Sequence, residues 1–284
     1  MLVKRRRVGR SFWGDLGAYV FLFAFALLMV IPILFVVGNA FKPLDEIWLF
    51  PPRVFPLNPT LKNFKDMFSM MDGSLVPFSR YIMNTVVITA VGTAGNVLCV
   101  SMCAYSLAKK KLMINGAFFK LVVTSLMFST AVTAIPNYII MARLNIIDNN
   151  LAVIIPAFAT PLGLYLMKQF MDQIPDALLE SARIDGANEF LVLFKIVLPV
   201  VKPACLTLII FSVQSLWGLD TGTYIYSEQK KSLSYALSQI TAGGIARAGV
   251  GGAVTLFMMV VPVLIFVFAQ SNIIQTMTSS GIKE

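Results

Sequence analysis

The stretch LLESARIDGANEF (Leu178–Phe190) sets Glu180, Arg183, Asp185 and Glu189 around Gly186, between two strongly apolar segments. The chain around it is 57% hydrophobic and only 13% charged, with a mean hydropathy of +0.79. A soluble protein needs more charge than this to cover its surface, so composition points to a membrane protein. The charged insert is then a water-exposed element between membrane spans.

A helix rises about 1.5 Å per residue, so a hydrocarbon core of roughly 30 Å requires about 20 apolar residues. Six windows of about that length are present: Tyr19–Phe41, Tyr81–Ala108, Ala117–Leu144, Leu151–Phe170, Pro203–Leu219 and Gly249–Ser271. Pro32, Pro136, Pro156, Pro161 and Pro262 fall inside them, which membrane helices tolerate when neighbours re-satisfy the freed carbonyls. The alternation of an outer-membrane barrel is absent. The expected fold is all-α and integral to the membrane, with six transmembrane helices in one domain over residues 1–284.

The run KRRRVGR (Lys4–Arg10) precedes the first window. That window is about twice a signal peptide's apolar region, so it reads as an uncleaved first span. Lysines and arginines gather on the inner side of a membrane. The short loop KKKLMING (Lys109–Gly116) carries three lysines, whereas NIIDNN (Asn145–Asn150) carries none. This places both termini in the cytoplasm, with residues 1–18 as a basic cytoplasmic tail and 42–80 as an extracytoplasmic loop. The net charge of +9 then marks the cytoplasmic face, where it meets anionic lipid, and calls for no nucleic acid.

The chain has no histidine, the commonest general base and metal ligand. Cys99, Cys103 and Cys205 have no clustered carboxylate to share an ion with, so they read as small buried hydrophobes rather than a metal site. No GxxxxGK[ST] loop is present, so the chain does not itself hold ATP in that way. Gly218–Gly222 fits GxxxG but encloses Asp220 at a span's end. No internal repeat suggests an inverted-repeat carrier. Within the windows Lys120, Arg143 and Lys168 lie near ends, where they can snorkel. An ion-coupled pump would need carboxylates at mid-depth, and Asp220 comes nearest to one.

In the insert, Pro175 suits the first turn of a short helix, with Asp172 and Asp176 near its positive end. Ala177, Leu178 and Ala182 form its expected apolar stripe. Asp185 and Gly186 break the helix, and Asp185 is placed to cap a second one beginning near Ala187. That helix offers Phe190, Leu193, Phe194 and Val197 on one side and ends at Leu198-Pro199. One reading is an elbow resting on the bilayer. The other is a docking surface, because Asp172, Asp176, Glu180, Asp185 and Glu189 outweigh Arg183 and Lys195 on an otherwise basic face.

ESARIDGANEFLVLFKIVLPVVKP (Glu180–Pro203) closely resembles the "EAA" loop of binding-protein-dependent ABC importer permeases. Glu180, Ala182, Asp185, Gly186, Ala187, Phe194, Ile196, Leu198, Pro199 and Pro203 carry the match, with Ser181 in place of the usual Ala. RIDGA and the LP…P ending are similar to the carbohydrate, maltose-type branch. The likeness extends through IPNYIIMARLNIIDNNLAVIIP and LYLMKQFMDQIPDAL to the closing SGIK. It departs at LWGLD (Trp217–Asp220), where the branch often has an aromatic-Asn pair. The resemblance implies a type I importer permease of a prokaryotic plasma (inner) membrane, passing a sugar or oligosaccharide. It also implies a second related permease, a cytoplasmic ABC ATPase dimer holding ATP and Mg, and an extracytoplasmic sugar-binding protein. Residues 172–199, with Glu180, Ser181, Ala182, Asp185, Gly186, Ala187, Phe194, Leu198 and Pro199, would be the loop seated on the ATPase. No catalytic residue and no cofactor are expected on this chain.

Residues 42–80 and Thr221–Ala248 are the candidate contacts for a binding protein; the prolines of the first suit an irregular cap. By residue type, Asn84, Asn96, Tyr105, Asn137, Tyr138, Gln214 and Trp217 are candidates for a sugar path, although glue between helices is the more ordinary role for any one of them. An importer of a polyol or phosphodiester, a membrane scaffold that recruits a signalling protein, and a secondary carrier are the rival readings.

Overall fold

The computed structural model describes residues 12–73, 76–110 and 113–280, and no strand occurs among them. The tail Lys4–Arg10, Lys111 and Gly281–Lys283 lie outside the described residues. Two compact units are present: one through Ser69 together with Ile240–Phe257, the other Met70–Gln239 together with residues from Met258 on.

The first unit contains α1 (Phe12–Phe41), the one-turn α2 (Leu44–Ile47) and most of α3 (Lys62–Asp72). None of the apolar window of α1 is buried, and Phe21, Phe23, Leu28 and Met29 lie open along it. A helix so apolar and so uncovered belongs in hydrocarbon or against another membrane helix. Its end is knotted down. Asn63 donates to Ala40 O and Lys42 O at 3.0 and 2.7 Å, and Lys42 Nζ donates to Asn39 Oδ1 and Arg53 O. Gly252 lets its helix, Ala248–Ser280, pass so close to Asn39 that a Cβ would sit 2.9 Å from its carbonyl. The segment 42–80 is therefore not irregular throughout, since α3 forms in the proline-free stretch between Pro59 and Pro77.

In the second unit α4 (Phe78–Lys109) is the central rod. Against it pack α7 (Leu151–Ala157), α8 (Pro161–Asp172) and α12 (Lys202–Trp217), with α5 (Asn115–Ser125) on α8. Its 32 residues span about 48 Å, more than a hydrocarbon core. Small residues let its neighbours approach: a Cβ on Gly95 would lie 2.0 Å from the Phe158 ring, and one on Gly92 2.6 Å from Leu216 Cδ1. Asn96, fully buried, ties three elements together. Its amide donates to Ala157 O at 2.7 Å and Thr160 Oγ1 at 3.0 Å, and its carbonyl accepts from Ser212 Oγ at 2.9 Å.

Four helical segments are long and apolar enough to cross a membrane as they stand: Trp13–Phe41, Phe78–Lys109, Leu151–Asp172 and Gly244–Gln270. The third window, Ala117–Leu144, is not a single rod. Asn115–Ser125 and α6 (Thr130–Arg143) meet at 113°, and the break falls at Leu126–Ser129 rather than at Pro136. The fifth window corresponds to α12, about 24 Å long, which joins Glu189–Val200 at 85°. Pro199 and Pro203, each without an N–H, flank that corner. With each bent pair taken as one span the total is six.

The Gly95 contact has a measurable consequence. Gly95→Leu should force α4 away from Phe158 and cost about 1–3 kcal/mol, the usual range for overpacking. A thermal melt of the purified chain in detergent should show a clearly lowered midpoint, while Gly17→Leu, with nothing near its Cβ, should leave it in place.

Candidate functional site

The insert folds as α9 (Asp176–Ile184), a tight turn, and the helix Glu189–Val200. The latter comprises α10 (Glu189–Leu191), a π-helical stretch Val192–Val197 and α11 (Leu198–Val200). Pro175 precedes α9, and Asp176 in its first turn and Arg183 in its last complement the helix dipole. The turn follows from backbone bonding. Gly186 N donates to Arg183 O at 3.1 Å and Ala187 N to Ala182 O at 3.0 Å, the pair of bonds of a Schellman motif. Gly186 has φ +84°, with open space where a Cβ would be. Glycine is required there by the left-handed backbone and not by crowding.

Asp185 is not the cap of the second helix. It closes α9, and the following helix is capped by Asn188, whose Oδ1 accepts from Leu191 N at 2.8 Å. The Schellman turn extends one residue past Gly186, so the first free amides fall beyond the reach of Asp185. The apolar faces also differ from those expected. In α9, Leu179 is buried and Ala182 packs against the same core, while Ala177 and Leu178 face outward. In the second helix Val192, Leu193 and Val197 go inward, and Phe190 and Phe194 stay exposed. The π-helical stretch rotates the inward face away from a 3.6-residue pattern.

The loop is fastened to the end of α4. Glu189 Oε2 accepts from Tyr105 OH at 2.6 Å; Oε1 pairs with Lys110 Nζ at 2.5 Å and Arg183 Nε at 3.3 Å. Lys109 Nζ donates to Ile174 O at 2.5 Å and to Asp176 at 2.9 Å. Beneath these bonds Val100, Ala104, Met167, Met171, Leu179 and Val197 form a closed apolar core. Lys110 and Tyr105 hold the Glu189 carboxyl at about 2, against an ordinary 4.5, and Tyr105 with Glu189 raises Arg183. Asp172 is paired with Lys168 at 2.6 Å. Of the five insert acids, Asp172, Asp176 and Glu189 are thus engaged within the chain.

What remains outward is compact. Glu180, Ser181 and Asp185 are exposed together with Leu178, Ile184, Phe190 and Phe194; Ile184 is 86% and Phe190 67% exposed. These large apolar side chains form an open patch bordered by charge on a firmly held loop. Leu198 and Ala187 are half-buried against the core, and Pro199 is exposed at the corner.

Most of the expected sugar-path residues are held by internal bonds. Asn84 donates to Gln229 O at 2.9 Å and Lys231 O at 3.0 Å, and Trp217 Nε1 to Met258 O at 3.1 Å. Tyr105 belongs to the loop clamp and Asn96 to the helix crossing. Tyr138 OH shares a hydrogen bond with Tyr226 OH at 2.5 Å. Asn137 is half-buried and Gln214 exposed, and among the described residues neither side chain has a recorded partner. Cys103 is exposed and Cys99 and Cys205 half-buried, so the thiols are not sealed in the core. Among the described residues no His, Cys, Asp or Glu cluster could hold a metal.

No protein-family model matches the chain. It is 31% identical over 237 residues to Protein LplC of Bacillus subtilis, covering 83% of this chain and 77% of that one. It is 29% identical over 228 residues to the polygalacturonan/rhamnogalacturonan transport system permease protein YtcP of the same organism, covering 80% and 77%. The chain belongs to the permease subunits of ABC importers, in their carbohydrate branch. Its fold matches a chain from the crystal structure of a bacterial ABC transporter that imports the acidic polysaccharide alginate, with TM-score 0.73, 21% identity, and 94% and 98% coverage. The permease is accordingly a multi-pass inner-membrane transport subunit and not an enzyme.

Residue pattern alone could not have found the clamp. Glu189 is remote in sequence from Tyr105 and Lys110, and Lys110 reads there only as one of a topogenic run. Two expectations follow. Asn188→Ala should destabilise the permease by about 0.5–2 kcal/mol through loss of the cap, whereas Asp185→Ala should change its melting little. Glu189, depressed from 4.5 to about 2, stabilises the folded state above pH 4.5, and that contribution disappears as pH falls toward 2. Acid melting curves of Glu189→Gln should lack the part of the pH dependence that lies in this window.

Proposed function

We propose that the permease forms half of the passage of an ATP-driven importer for a sugar or oligosaccharide, and that residues 172–199 seat it on a separate ATPase. The observation that carries this is the rigid loop with Leu178, Ile184, Phe190 and Phe194 exposed beside the unpaired Glu180 and Asp185. Apolar anchors ringed by charge are what a docking knob requires. Because Glu189, Lys109 and Lys110 bolt the loop to α4, displacement of the loop moves a helix rather than a flexible strap. ATP and Mg are held by the partner, which agrees with the missing phosphate loop.

The lysines beside this loop support a cytoplasmic side for it and for both termini. A second related permease would cover apolar surface such as the bare α1. A binding protein would deliver the sugar on the other side, meeting residues 42–80 and 221–248. Asn137, Tyr138 and Gln214 are the path candidates that an entering sugar could still reach, and the relatives' polysaccharide-related names support an oligosaccharide over a polyol or phosphodiester.

Affinity purification from detergent should bring down a second membrane subunit and a P-loop ATPase. Ile184→Asp, or Glu180→Lys with Asp185→Lys, should remove the ATPase and spare the second permease. Gly186→Val should keep the ATPase bound at reduced yield and abolish transport-linked ATP hydrolysis, because φ +84° costs a β-branched residue about 1–2 kcal/mol or more. A stable bundle that never carries an ATPase would return the loop to a surface elbow and favour the scaffold.

A further inference from the structure

The clamp at Tyr105 has a counterpart near the other end of α4. Tyr81 OH donates to Glu228 Oε1 at 2.9 Å, and Asn84 binds the carbonyls of Gln229 and Lys231. Thr85 Oγ1 accepts from Leu233 N at 2.8 Å. Asn84 and Thr85 are buried, and each spends its side chain on backbone of the segment Glu228–Leu233. Tyr81 and Tyr105 stand about 36 Å apart along the helix, roughly one hydrocarbon thickness. Between them Asn96 and the close contacts of Gly92 and Gly95 lock α4 to its neighbours. One continuous helix thus holds a loop segment near each end, the backbone of the partly buried Glu228–Leu233 at one and the Glu189 carboxylate at the other, through side chains rather than through the chain's own connections.

We propose that α4 is the strut that carries displacement of the ATPase-facing loop to the segment Glu228–Leu233, with Tyr105 and Glu189 as positioning residues at one end and Asn84 at the other. The proposal rests on the coupling-loop reading above and adds the path beyond it. The segment Glu228–Leu233 lies where a delivering protein would be met, so binding there and ATP binding at the loop become linked through two sets of hydrogen bonds. Tyr105→Phe weakens the link with the least disturbance, leaving the bonds of Lys109 and Lys110 in place. It removes one hydroxyl, and with it the bonds to Glu189 and Arg183, while the ring stays in the apolar core.

The test uses the assembled complex in nanodiscs, with Cys99, Cys103 and Cys205 replaced by Ala and a bimane fluorophore on Gln229→Cys or Lys195→Cys. Both side chains are exposed, and Gln229 contributes only its backbone to the clasp. ATP with orthovanadate should change the emission at both positions. In Tyr105→Phe and in Glu189→Gln the response at 195 should persist while that at 229 falls several-fold. Asn84→Ala should do the same, and Tyr105→Phe with Asn84→Ala should lose no more than the larger single loss, because links in series are non-additive. An undiminished response at 229 in these variants, or losses that add, would overturn the strut alone. Silence at 195 in the parent complex would overturn the coupling-loop reading and the strut with it.

Discussion

The carboxylate of Glu189, shared among Tyr105, Lys110 and Arg183, determines how the water-exposed loop sits on the membrane bundle. Without it α9 and the helix after it would be held to α4 by apolar packing and Lys109. With it, a loop of two short helices acquires a fixed orientation relative to a 32-residue rod. The pair Leu179 and Val197 closes the core below, and the carboxylate closes the polar rim above. Each makes the other more effective, since hydrogen bonds strengthen where water is excluded.

A membrane interior leaves few polar groups for specific contacts, so those present are concentrated where helices cross or end. Asn96 at the crossing of α4, α8 and α12, and Asn84 at the start of α4, both follow this rule. Their amides satisfy carbonyls that proline-rich or irregular backbone leaves open, such as Ala157 O before Pro161. On the opposite loop Asp148, in a left-handed conformation, accepts from Tyr226 N, Ser227 and Lys230, and its carboxyl is held well below the usual range, chiefly by Ser227. That segment is therefore tied across the loop by its own set of hydrogen bonds.

The surface left open divides by chemistry. Apolar side chains without charge, as along α1, suit lipid or another span. Apolar side chains mixed with Glu180 and Asp185 suit a soluble partner. This division connects the fold to its membership among importer permeases: the spans are apolar rods, and the proposed seat for the ATPase is a polar knob.

Composition and apolar periodicity determined that the chain spans a membrane by helices, because hydrocarbon thickness sets a length that residues can be counted against. LLESARIDGANEF also determined its own turn, since Gly186 at the end of a helix leaves few alternatives to a left-handed backbone. What the linear pattern could not decide was direction. Whether Leu178 or Leu179 faces inward depends on which neighbour α9 meets, and Phe194 turns outward because a π-helical stretch shifts the face. The break at Leu126–Ser129 and the use of Asn84, Asn96 and Tyr105 as internal fasteners likewise arise from contacts between residues remote in sequence. Local propensity and length are written in the chain residue by residue; the partner of a polar group is decided only when distant segments are brought within hydrogen-bonding distance.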